Sequence, residues 1–250
     1  MKFRNVLKIS VAVICCGIVM FNFIGCRSYE KEKKEALEYL NNKYGEEFEL
    51  KGNFHCSYGD EFNQSPEKET KAWPKDSSND VFKIEYYPNG SYKDDYQNIV
   101  MKPFIDKYYF DQVNEYWNNS QIAVYVQGGL TNEKFCEEEV KKFLENSNIN
   151  LTLIIYLKYT NEFDLDSEIN KIYSLYRKVE ENKFYGQLSI NFIDIELSDN
   201  QVKEDKLWQK LWDDKHIVKY CLLRCTDDSD KKEVTKQKIR EELKTKRESN

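Results

Sequence analysis

Apolar positions first recur along the chain at helical spacing. Ala36, Leu37, Leu40 and Tyr44 share one face of a helix over about 30–44, and Gly45 is suited to close it. The spacing then drops to two. Phe48, Leu50, Gly52, Phe54, Cys56 and Tyr58 alternate with Glu47, Glu49, Lys51, Asn53, His55 and Ser57, which predicts a half-buried strand with His55 turned away. Residues 59–68 hold Gly59 and Pro66 among polar neighbours and read as a loop. A short strand is expected around 70–73 and another over 81–87, where Phe82, Ile84 and Tyr86 share a face. Pro88-Asn89-Gly90 is a turn, and 95–117 reads as a helix kinked near Pro103.

From about residue 120 strands and helices alternate. Residues 122–127 form a strand closed by Gly128-Gly129, and Cys136, Val140, Phe143 and Leu144 mark a helix. The stretch 151–159 is apolar on both faces, as in a central strand covered on both sides. Ile169, Ile172, Tyr173, Tyr176 and Val179 mark a long helix, 188–195 a strand, 207–212 a helix and 217–225 a last strand. In that last strand Val218, Cys221, Leu222 and Cys225 also fit helical spacing. The final 24 residues have mixed charge and suit a solvated helix. This order predicts an α+β class: an antiparallel α-β-β-β front half (35–128) joined to β-α-β units (129–226) with parallel crossovers, followed by a charged tail (227–250). The soft boundary lies near Gly128-Gly129, and the pattern suits one mixed sheet with helices on its faces as well as two domains.

The N-terminus carries a different signal. Lys2, Arg4 and Lys8 precede residues 9–25, a 17-residue run without a charge that ends Phe23-Ile24-Gly25-Cys26. A positive start, an apolar segment and a small residue before a cut are the layout of a secretory signal peptide. As a helix the run would span about 26 Å, slightly short of a ~30 Å hydrocarbon core, so an uncleaved membrane anchor is the competing reading. Both put the body outside the cytoplasm.

Phe23-Ile24-Gly25-Cys26 resembles the lipobox of bacterial lipoproteins, with Phe23 where Leu is usual. The resemblance implies cleavage before Cys26, a lipid such as palmitate on its thiol, and a polar tether over 26–34. The charged run Lys33-Lys34-Glu35-Ala36-Leu37-Glu38-Tyr39-Leu40 and the strand start after it look like the mature start of uncharacterised lipoproteins of low-GC Gram-positive bacteria. That likeness implies a place in the cell envelope and supplies no active-site residue.

Composition narrows the classes. Aromatic residues make up 14%, too many for a disordered chain, while 9 Gly and 4 Pro are too few for collagen or a turn-dense sandwich. A net charge of -6 argues against a nucleic-acid partner, and loss of Lys2, Arg4 and Lys8 with the signal deepens it to -9. Such a body is pushed away from an anionic membrane surface.

The chemistry-bearing residues are sparse. Beyond Cys15, Cys16 and Cys26, the thiols Cys56, Cys136, Cys221 and Cys225 remain, the first two on expected apolar faces. Cys221 and Cys225 in a strand would lie about 13 Å apart, beyond disulfide reach. His55, His216 and the thiols lack zinc-ligand spacing, so neither a metal nor another cofactor is expected. Asp164, Asp166 and Glu168 with Ser167 offer oxygens to calcium, but Asp or Ser capping a helix explains them, and Asp94-Asp95 reads the same way. Asp194 and Glu196 share a strand face and are the one candidate pair for acid–base work, with a solvated sheet face as the plainer account. No nucleophile motif or phosphate-cradling loop is present. Trp73, Tyr86, Tyr87 and Tyr92 are the expected contact surface for a protein, peptide or wall polymer, against the alternative that they fill the core. The expectation is therefore a non-catalytic binding protein held at the outer membrane face through Cys26. Its rivals are a carboxylate-dependent hydrolase and an immunity-type lipoprotein that neutralises a protein partner.

Overall fold

The computed structural model describes residues 30–52, 54–56, 68–146, 149–182, 184–202, 206–225 and 234–245. The signal segment 1–25, Cys26, the start of the tether and the loop holding Gly59 and Pro66 lie outside the described residues. Two compact units divide the chain, one running to Tyr96 and taking in Asn132–Lys134, the other comprising Gln97–Thr131 and Phe135 onward. The class is α+β, as the pattern predicted. Two corrections concern its organisation. The units part at Tyr96/Gln97 and not near Gly128-Gly129, because the helix that begins at Gln97 packs on the strand that follows it. The described strands also form two sheets, not one mixed sheet.

In the first unit helix α1 (30–44) ends at Gly45, whose φ of +80° favours glycine and whose N–H reaches Asn41 O at 2.7 Å. The sheet runs β1 (Phe48–Leu50), β3 (Lys68–Pro74), β4 (Phe82–Tyr86), β5 (Tyr92–Asp94), all antiparallel, and β2 (His55–Cys56) also pairs β3. The long alternating strand expected over 48–58 is broken. Leu50 pairs Ala72 while His55 pairs Glu69, so the register shifts by two residues after Gly52, whose φ is +74°. Phe48 and Leu50 are buried as expected, Phe54 is only half-buried and His55 is exposed. Ala36 and Leu40 of α1 complete the core with Ala72, Phe82, Ile84 and Tyr96.

The second unit begins with α2 (Gln97–Asn114), which continues through Pro103, and β6 (Gln121–Gly128). A 3₁₀ turn at Glu137–Glu139 leads into α3 (Val140–Asn146), then β7 (Ile149–Lys158), α4 (Leu165–Glu181) and β8 (Gly186–Ile193). α5 (Asp199–Val202), α6 (Leu207–Asp213), β9 (Ile217–Cys225), α7 (Lys236–Glu242) and β10 (Lys244–Thr245) follow. The sheet order is β10-β9-β8-β7-β6. Among the described strands only β7 and β8 are parallel, joined by α4, and the other neighbours are antiparallel, so one crossover stands where a series was expected. One face carries Leu153, Ile155, Leu188, Ile190, Cys221 and Leu223 under side chains of α2, α3, α4 and α7. The other carries Tyr156, Ile193 and Ile217 against α5 and α6. α7 is not a free solvated helix: Ile239 is buried in the main core and β10 extends the sheet from β9.

Candidate functional site

Trp73, Tyr86, Tyr87 and Tyr92 do not form one surface. Pairing of Lys68 with Tyr86 and Ala72 with Phe82 puts Tyr86 on the face of Thr70 and Ala72, and Trp73 on the opposite face. Tyr86 packs on Tyr92 and Tyr92 stacks on Tyr39 of α1, so this pair helps hold α1 to the sheet. Trp73 donates to Glu49 at 3.2 Å. Tyr87 donates to Glu85 at 2.7 Å and lies under the Lys93 ammonium. Burial, with Glu85 beside it, holds the Tyr87 hydroxyl above its ordinary range. In this register Tyr87 is level with residue 67, six positions or about 20 Å along the sheet from Trp73.

Asp94, expected as a helix cap, is instead fully buried in the first unit. Its Oδ2 accepts from Tyr39 OH and Lys43 Nζ, both at 2.8 Å, and its Oδ1 from Tyr44 OH at 2.6 Å and Tyr96 N at 3.1 Å. Four donors saturate the carboxylate, so it is a clasp between α1 and β5 with no lone pair free for a ligand.

Asp194 and Glu196 follow the end of β8 and go to different partners. Asp194 meets His216 Nδ1 at 2.9 Å and Glu196 meets Lys158 Nζ at 2.5 Å, so they do not converge on one reacting atom. Among the described residues no group of three possible ligands could hold a metal. Asp164 caps α4 as expected, accepting from Asp166 N and Ser167 N. Cys221 and Cys225 are buried on β9 outside any disulfide, and Cys136 is exposed at the foot of the 3₁₀ turn, against the apolar face expected for it.

The geometry points elsewhere, to the outer edge of β6. β6 ends its sheet, so its side away from β7 has no partner strand among the described residues. A groove of about 650 Å³ follows that edge from Ser120 to Tyr125, walled by Lys102, Asp106, Lys107 and Phe110 of α2 and by Val202 of α5. A second cavity of about 450 Å³ shares Lys102, Val124 and Tyr125 with it and continues to Gln127 beside Asn98, Ile99 and Pro103. The two together follow the strand from Ser120 to Gln127.

The local sequence explains this shape. α2 buries Met101, Ile105, Tyr109 and Val113 and turns its other side along β6. Phe110 on that side is 41% exposed. Lys102 is occupied by Asp106 at 2.6 Å, whereas Lys107 forms no ion pair among the described residues. At the far end Asn98 donates to Gly128 O at 2.5 Å, and its Oδ1 has no partner among the described residues. The Ser120 hydroxyl at the near end also has none, although the residue is only 7% exposed. Sequence reading passed over all of these residues. The one signal available was the run from Tyr116 to Asn132, which holds no charge at all.

Edges this long are ordinarily blunted by Lys, Pro or a bulge. β6 has none of these over its eight residues, QIAVYVQG.

No protein-family model matches the chain, and no curated protein matches its sequence. Among solved structures, the crystal structure of a DUF5037 family protein from Ruminococcus gnavus ATCC 29149 is similar over 74% of this chain and 80% of that chain, with 15% identity and a TM-score of 0.31.

Proposed function

We propose that the protein is a non-catalytic binding protein, held at the extracytoplasmic face of a membrane by lipid on Cys26, that captures a protein partner along the β6 edge. The observation that carries the reading is the groove along an uncharged edge strand, with Phe110 exposed beside it. An exposed aromatic at the rim of an apolar groove is the usual form of a binding anchor. The membrane location rests on the positive start, the apolar run and Gly25 before Cys26. The described residues contain no helix long and apolar enough to cross a membrane, and the run 9–25 lies outside them.

Site-specific photocrosslinking in cells tests the capture. A benzophenone side chain at position 110 should give one discrete adduct, while the same group at Leu222, an exposed apolar position on β9 away from the groove, should not. Equal labelling at both positions, or none at 110, would refute the site. The anchor is tested separately: Cys26→Ala should leave unprocessed precursor, and an unmodified full-length chain in the wild-type membrane would replace the lipid with a signal anchor.

A further inference from the structure

Beyond the capture of a protein, we infer that the β6 groove takes a small aromatic carboxylic acid, its ring against Phe110 and its carboxylate at Lys107. The inference stands on the walls of the groove, whether or not a protein is also captured there. Size allows it: the cavity of about 650 Å³ falls within the range of small-molecule sites, about 300–1,000 Å³. It calls on side chains alone and needs no pairing with the main chain of β6. The walls select the body of the ligand. Ile122, Val124 and Val202 line the cavity together with the exposed ring of Phe110. A flat apolar ring laid there withdraws this surface from water, and offset or edge contact with Phe110 adds to the gain from area. A sugar would bring many hydroxyls to walls that answer few of them.

The polar groups select the head. Lys102 and Asp106 satisfy each other at 2.6 Å, and Gln121 Nε2 donates to Leu197 O at 2.7 Å. The Lys107 ammonium forms no ion pair among the described residues, so it is the uncompensated charge of the lining. The Ser120 hydroxyl, in a residue more than nine-tenths buried, has no partner among the described residues either. Both groups can donate. A carboxylate brings acceptor oxygens and the opposite charge, whereas an amine would meet its like at Lys107 and find Asp106 already taken.

Saturation-transfer NMR with naphthoate tests this on the full chain in lipid nanodiscs, with empty nanodiscs as background. The signal should report a dissociation constant below about 1 mM. Naphthamide keeps the ring and loses the charge, and it should bind about three- to fivefold more weakly, as naphthoate should to Lys107→Met. Phe110→Ser should weaken acid and amide alike. Lys107→Glu should lose the acid and gain naphthylmethylamine in its place, an exchange that a damaged fold would not produce. Thermal unfolding of each variant checks the fold directly.

Each other outcome is distinct. Equal binding of acid and amide, or acid binding unchanged in Lys107→Glu, would overturn the carboxylate as the selected head. Binding unchanged in Phe110→Ser would overturn this groove as the place where the ring sits. No transfer above the nanodisc background would overturn the inference altogether, while the adduct at position 110 would still decide the capture of a protein.

Discussion

Asp94 and Lys43 stand 2.8 Å apart with 0% and 6% of their side chains exposed, a buried ion pair between the first helix and the short strand β5. Tyr39 and Tyr44 close the remaining positions around the carboxylate. Burial pulls the Lys43 ammonium below its ordinary range, with Asp94 opposing the shift, and lifts the Tyr39 phenol well above its own. Such a pair gives little net stability over apolar residues of the same shape, but breaking it strands a charge. Asp94→Ala should therefore cost about 3–5 kcal/mol in urea unfolding, and Lys43→Met with Asp94→Leu together much less than the sum of the singles. Additive losses in that double-mutant cycle would mean that the pair is not coupled.

Asp95, the next residue, behaves differently. Its Oδ1 accepts from Lys83 N at 2.6 Å, yet desolvation is the larger influence and lifts its pKa above the ordinary carboxylate value. A carboxyl raised in the folded state binds more protons there than in the unfolded chain, so its contribution is lost as pH rises through its titration. Asp95→Asn keeps an oxygen for the Lys83 N–H and removes the charge. The Tm advantage of this variant over wild type should be larger at pH 7 than at pH 4. An advantage that grew towards acid pH would show that the Lys83 contacts outweigh burial.

Much of the fold was legible because burial repeats. β7 is apolar on both faces and proved central; α4 shows a clean 3.6-residue apolar stripe and an Asp164 cap. β5 escaped because Tyr92-Lys93-Asp94 is too short to show a period, and its innermost residue is charged. Asp94 looked like a helix cap since the partners that bury it lie about fifty residues earlier in the chain. The site escaped for a topological reason. Ile122, Val124 and Val126 alternate like any half-buried strand, and nothing in that alternation tells an edge from an interior position. Aromatics mislead similarly: Tyr86 and Tyr92 were conspicuous in sequence but serve to dock α1.

The thiols should differ sharply in reactivity. Burial pushes Cys221 up to about 12, and a thiol that stays protonated and shielded is inert. Cys136 is exposed, but hydrogen bonds to Glu138 and then Glu139 raise its pKa also. Iodoacetamide at pH 8 should label Cys136 in the native protein, more slowly than in the denatured chain, and reach Cys221 only after unfolding. Because an unfolded thiol loses its proton near ~8.5, the Cys221 contribution to stability should fall between there and about 12 and be flat at neutral pH. Native-state labelling of Cys221 in peptide maps would show that β9 opens readily.

The last expectation separates centre from edge in the second sheet. Ile155 on β7 pairs with Ile122 on β6 on one side and with Ile190 on β8 on the other. Ile155 and Ile190 are fully buried, while Ile122 is half-buried at the groove. Truncating Ile155 leaves a cavity walled by both neighbouring strands and the helices above, which cannot collapse into it, so Ile155→Ala should cost about 2–5 kcal/mol. Ile122→Ala loses roughly the buried half of its transfer free energy, about 1 kcal/mol, because the groove already admits water beside it. Chemical denaturation of the two variants gives the comparison directly. An Ile122→Ala cost as large as that at Ile155 would mean that the edge is already covered.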